Sequence, residues 1–249
     1  MHPAQTLPLG DVRVAAGFSA NIAVGDLSAA VATAQNDASQ NPPTPTTAPA
    51  DTAFAKGALV AAAVGPELAP YVSGRVGVGD HFEAGLAYTG RAVRVDIRRS
   101  FALSEYWALS LGVGGSAALY GHSDGSALPD VDLGQLHGWG GDVPIVVGYA
   151  SDDGLYMAWV GARGGVDHVD ISEVRSEPDS VTLGTPPVSL SATRVWGGGV
   201  VGLALGFRHV HVALELDASY SGISGTYNNV QAQVAGFTLA PATTLWWRF

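Results

Sequence analysis

Apolar and polar residues alternate along most of the chain, most clearly in its last thirteen residues, FTLAPATTLWWRF. Phe237, Leu239, Leu245, Trp247 and Phe249 share one parity, and Thr238, Thr244 and Arg248 share the other. A two-residue period marks a β-strand with two unlike faces. The same alternation predicts strands over 11–24, 68–78, 82–89, 91–102, 107–121, 143–150, 155–166, 192–206, 210–221 and 237–249. That makes ten, with eight or twelve as the alternative counts.

The links between these segments fall into two kinds. Those near 79–81, 103–106, 151–154 and 207–209 are short. Those over 25–67, 122–142, 167–191 and 222–236 are long, and only Gly90 breaks the alternation of long and short. An even count with long links on one side and short links on the other predicts an all-β, antiparallel up-and-down barrel. Both ends of the chain then lie on the short-turn side. The first long link, 26–66, contains LSAAVATAQ, which suits a short helix, and NPPTPTTAPADT, whose prolines cannot join a sheet. Residues 53–64 are apolar enough either to pack back into the barrel mouth or to extend the next strand. Residues 1–10 form a lead segment on the short-turn side, and 11–249 form a single barrel domain.

Composition says where such a barrel sits. Hydrophobic residues make up 47% of the chain and charged residues only 14%, with a single lysine, Lys56. No apolar run approaches the roughly 20 residues of a spanning helix. Apolar side chains are instead spread over alternating strands, so their common face has lipid as its natural neighbour. There are no cysteines, which excludes disulfides and thiolate metal sites. The net charge of −10, with no basic patch, excludes a nucleic-acid partner. The opening MHPAQTLPLG has neither the basic start nor the apolar core of an export leader. The expectation is a mature exported chain, compatible with a lipid-bearing cysteine just upstream.

The alternation of Leu245 and Trp247 up to the terminal Phe249 resembles the signal by which bacterial outer-membrane barrels are recognised for assembly. With the strand count and loop asymmetry, nearly all the chain after Gly10 is similar to small Gram-negative outer-membrane β-barrels as a class. The opening TLPLG also resembles the start of barrels from Gram-negative predatory or gliding bacteria, a likeness that brings no activity. The resemblance implies short periplasmic turns, long extracellular loops, outer-membrane lipid as the surrounding solvent and the barrel-assembly machinery as a partner.

With the apolar parity turned to lipid, Arg13, Arg75, Arg94, Arg98, Arg163, Arg194 and Arg248 point inward, with Glu83, Asp96, Glu215 and Asp217. Seven cations against four anions give a slightly positive lumen. Such arginines either close a ladder of internal ion pairs or favour the passage of anions. Many other inward positions are glycine, serine or alanine, among them Gly17, Gly85, Gly114 and Gly202; they leave a water path or let the sheet bend. Trp159 and Trp196 share the inward parity, and stacking on a guanidinium is one use for them.

The long links hold the other candidate chemistry: His122, Asp124, Asp130, Asp132 and His137, then Asp167, His168, Asp170 and Glu173. These residue types bind calcium or zinc or activate water. Ten strands fit the omptin proteases, but no omptin motif is present. The HSD at 122–124 lacks the asparagine of the lipid A deacylase His-x-Ser-Asn pattern. Solvated acidic loops are the plainer reading, and no cofactor or metal is expected. Three functions follow in order: a small pore or transporter for polar or anionic solutes, a closed barrel binding an extracellular protein or glycan through its loops, and an outer-membrane hydrolase.

Overall fold

The computed structural model describes residues 3–40, 52–65, 67–119, 136–152, 154–171, 189–207 and 209–249. Its strands are β1 (Val12–Ala20), β2 (Ile22–Val24), β3 (Leu68–Gly79), β4 (Phe82–Tyr88), β5 (Ala92–Ala102), β6 (Trp107–Ala118), β7 (His137–Ala150), β8 (Tyr156–Ile171), β9 (Leu190–Phe207), β10 (Val210–Tyr227) and β11 (Val230–Arg248). Two helices, α1 (Asp26–Gln40) and α2 (Thr52–Val64), stand between β2 and β3. Among the described residues no helix is long and apolar enough to cross a membrane.

Each strand from β3 onward pairs antiparallel with the next, and β11 returns to β1 with Arg13 opposite Arg248 and Ser19 opposite Ala242. β2 continues that register, Ile22 opposite Leu239 and Val24 opposite Phe237. β1 and β2 are therefore one crossing, interrupted only at Asn21, whose backbone N–H still continues the ladder with β3 by bonding the Glu67 carbonyl. The barrel is closed and has ten crossings. Closure matters because lipid offers no partner for an unpaired strand edge.

The outward face carries the apolar parity. On β10, Val212, Leu214, Leu216 and Tyr220 are 53%, 51%, 41% and 52% exposed, while Ala213 and Ser219 between them are buried. Leu245, Trp247 and Phe249 lie on this lipid face as well.

The strands are unequal. β4 has 7 residues and β11 has 19. At about 3.3 Å per residue β11 runs about 60 Å, and at a tilt near 40° it rises about 45 Å, well past an apolar band of about 25 Å. Here the fold departs from the alternation-based expectation. The stretches 137–142, 167–171 and 222–236, read as loop, are strand. The link between β10 and β11 is a two-residue hairpin, Asn228 and Asn229, with φ of 43° and 68°. Asparagine tolerates that left-handed pair, which hairpins of this kind require.

Helix α2 accounts for the polar outer face of those stretches. Its residues Phe54, Ala55, Ala58, Leu59, Val60, Ala61 and Ala62 are at most 1% exposed. They pack inside the extracellular end of the barrel against Leu136, Val169, Ile171, Leu190, Ala192, Ile223, Tyr227 and Ala232. Of the two alternatives for 53–64, packing into the mouth is the one realised. α1 lies against α2 through Leu27 and Ala34, and α2 presents Gly57 where any Cβ would strike the Ala30 carbonyl and Ala34.

Candidate functional site

The opposite mouth is also occupied. Residues 3–7 fold up into the barrel, burying Ala4 and Leu7 rather than lying below it, while 8–10 stay exposed at the rim. Gly77 lets the Pro8 carbonyl pass where a side chain would block it, and Gly10 N–H bonds the Gly77 carbonyl.

This segment rests on a charged hub. Glu83, fully buried, accepts hydrogen bonds from Arg75 (2.8 Å), Arg98 (2.7 Å) and Arg13 (3.2 Å), and from the Leu7 backbone N–H (3.0 Å). Arg98 also donates to the Pro3 carbonyl at 2.6 Å. A carboxylate taken wholly out of water must be neutralised and hydrogen-bonded, and three guanidinium groups do so here.

From the hub a ladder of ion pairs climbs the wall. Arg75 reaches Asp96 at 3.0 Å, Asp96 also pairs with Arg94, and Arg94 grips Asp142 through Nε at 2.8 Å and a terminal nitrogen at 3.0 Å. Arg163 Nε donates to the same Asp142 at 2.9 Å. The Arg163 and Arg194 guanidinium carbons lie 5.2 Å and 5.6 Å from the centre of the Trp196 ring, within cation–π range. Trp196 in turn donates to Asp167 at 2.8 Å, and Trp159 to Glu215 at 2.8 Å.

Above the ladder and below the end of α2 lies a chamber of about 290 Å³. Arg94, Arg163, Arg194, Asp142, Asp167, Glu215, Asp217, Trp196 and Tyr71 line it, and it reaches the rim at Glu67, Thr89 and Arg91, where β3 to β5 end. Two wall residues hold the helix over it: Arg91 donates to the Ala62 carbonyl, and Asn21 Nδ2 to the Val64 carbonyl at 3.3 Å. The last carbonyls of a helix lack partners of their own and carry partial negative charge, so a cation there is doubly favourable.

Ten of the eleven charged positions read from parity lie within the barrel. Arg248 is the exception: it sits half-exposed at the periplasmic rim, paired with Asp11 at 2.8 Å. The excess of positive charge expected there is not found. Asp142 and Asp167, which the alternation left in loops, face inward from β7 and β8 and bring the interior close to balance. The small inward residues serve two purposes: Ala87 and Ser116 line the chamber, and several glycines leave space for large side chains. A Cβ at Gly202 would overlap the Trp159 ring, one at Gly114 the Arg94 guanidinium, and one at Gly206 the His211 ring. They make room for large neighbours.

Of the expected acid and histidine groups, His137 stands opposite Asp170 across β7 and β8, but the described members do not gather into one site. Asp167 points into the chamber, whereas His168 lies against Trp139 and hydrogen-bonds Thr193 on the outer face. His122, Asp124, Asp130, Asp132 and Glu173 lie outside the described residues. Among the described residues no three potential metal ligands cluster.

A closed ten-crossing barrel girdled with apolar residues has one home in a cell with two membranes. The protein is an outer-membrane β-barrel. No protein-family model matches the chain, and no curated protein matches it in sequence. Among solved structures it is similar to Neisserial surface protein A, at 9% identity over 96% of each chain with a TM-score of 0.35. It is also similar to the outer membrane protease OmpT from Escherichia coli, at 9% identity over 99% of this chain and 100% of that one, TM-score 0.42. Ail, the attachment invasion locus protein of Yersinia pestis, matches at 10% identity over 97% and 100%, TM-score 0.25. These proteins differ in what they do, and none lends its activity to this barrel.

Proposed function

We propose that this barrel admits a small polar solute to its interior chamber and passes it across the outer membrane when the two plugs yield. The observation that carries the reading is the chamber itself. A barrel with a purely structural role has no need of a charged cavity of about 290 Å³ between two plugs, one of them latched at its lower end by hydrogen bonds from two wall side chains. The balanced interior supports a polar solute, and the anion preference suggested by parity alone loses its basis. Leu245, Trp247 and Phe249 are the segment we assign to recognition by the assembly machinery.

Uptake by proteoliposomes tests this. Wild-type protein should let in a small solute such as glycine slowly but measurably above protein-free vesicles. The Asn21→Ala, Arg91→Ala double variant, which frees the end of α2, should raise the rate about tenfold, since one charge-assisted bond is worth about 1.5–3 kcal/mol and 1.4 kcal/mol is tenfold in population. Folded protein that stays impermeable in both forms contradicts passage.

The second reading is a closed barrel that binds an extracellular protein or glycan. The near-complete burial of α2 favours it, because a plug so well packed is costly to move.

A further inference from the structure

Two groups of opposite charge face the chamber with bonding capacity to spare. Arg163 uses only its Nε on Asp142, and its terminal amino groups make no hydrogen bond with another described residue. Its side chain is 22% exposed, against 2–9% for Arg13, Arg75, Arg94 and Arg98. Asp217, inward on β10 and lining the same chamber, makes no hydrogen bond or ion pair with another described residue.

The sheet register explains why the two do not simply join. Arg163 stands opposite Gly198 of β9, and Gly198 opposite Ser219 of β10, two residues along from Asp217. Their backbones are therefore two strands apart, about 10 Å across and about 7 Å along the strands. The short aspartate side chain leaves a gap between the charged ends. That gap opens into the cavity beside Trp196.

We infer that the chamber binds a small zwitterion, its carboxylate on the terminal amino groups of Arg163 and its ammonium group at Asp217. A guanidinium edge takes a carboxylate through two parallel hydrogen bonds. The ammonium end meets Asp217, with Glu215 beside it on the same inward face. A solute with only one charge is disfavoured at the other end: an anion faces Asp217 and Glu215, and a cation faces Arg163 and Arg194. The volume equals that of about ten waters at about 30 Å³ each, which suits a solute of amino-acid size.

This inference rests on the reading of the chamber as a solute site, and equilibrium binding separates the two. Full-length protein folded in detergent micelles is titrated calorimetrically with 4-aminobutyrate, butyrate and butylammonium, three probes of one carbon frame. The expected result is that 4-aminobutyrate binds at least tenfold more tightly than either single-charge probe. Arg163→Gln should lower its affinity to that of butylammonium, and Asp217→Asn to that of butyrate. Arg163→Lys, which keeps the charge on Asp142, guards against a variant that fails to fold, and should bind less tightly than wild type while keeping the preference for the zwitterion. The Asn21→Ala, Arg91→Ala variant is titrated in parallel so that a shut chamber is not mistaken for an absent site. Equal affinity for the three probes, tighter binding of a single-charge probe, indifference to both substitutions, or no binding in either closed or unlatched protein overturns the inference. Zwitterion binding without passage would leave it standing while contradicting transport, and passage without zwitterion preference would do the reverse.

Discussion

Strands β8 to β11 carry opposite patterns at their two ends. In the membrane, β10 turns Leu214 and Leu216 outward and Glu215 and Asp217 inward. A few residues further along, Ser224 faces out and Ile223 and Tyr227 face in. The backbone geometry does not change between these levels. What changes is the solvent on each side: lipid outside and a charged chamber inside at the lower level, water outside and the apolar helix α2 inside at the upper. Polarity along a strand reports its surroundings, and a barrel that leaves the membrane around a helical plug must invert its pattern where it does so.

The largest expected effect comes from breaking the lower level at its hub. Glu83→Gln leaves Arg13, Arg75 and Arg98 around a group that no longer balances them, and breaking such a buried pair costs about 3–5 kcal/mol. The urea midpoint of the folded protein in detergent should fall sharply, while α2 stays in place. The upper level has its own break point in Phe54, whose ring lies 5.3 Å from that of Tyr227. Truncating a buried phenylalanine costs about 3–5 kcal/mol. In Phe54→Ala that cost is expected to fall on the docking of α2, so the barrel stays heat-modifiable. A lysine-specific protease, which has only Lys56 to cut, should cleave the variant at least tenfold faster than wild type.

Matched substitutions on one outward face sharpen the boundary. Leu214→Arg puts a charge in lipid at a cost of about 2–4 kcal/mol, whereas Ser224→Arg, ten residues along the same strand, should stay within about 0.5 kcal/mol. Reversible unfolding into vesicles measures both, and equal costs would erase the distinction between the levels. The smallest effect is at the hairpin. Asn229→Val places a β-branched residue at φ 68°, costing about 1–2 kcal/mol. It should destabilise the top of the hairpin, seen as faster amide exchange there, without altering the membrane level.

The same comparison explains what the sequence disclosed. The lipid face was legible because its apolar residues alternate over many crossings, and the closing strand because Trp247 and Phe249 continue that alternation to the last residue. The upper level was not: outward Ser224, Gln231 and Gln233 read as a polar loop when lipid contact is the signal sought. Asp142 and Asp167 border these polar stretches and so read as loop residues, although they are two of the carboxylates that balance the chamber. The role of Gly202 and Gly114 could not be inferred from parity, because the side chains they accommodate, Trp159 and Arg94, belong to strands that only the barrel's register sets beside them.

The inverted upper level is tested most directly by a spin-label scan of β10, which a chain without cysteines permits position by position. Labels at outward positions 212, 214, 216 and 220 should be reached by lipid-soluble oxygen, and those at 222, 224 and 226 by a water-soluble nickel complex. Labels at the inward positions 223 and 227 should be shielded from both. Water access at 223 and 227 in folded protein would mean that α2 does not fill the mouth, and the account of a barrel closed by its own helix would be wrong.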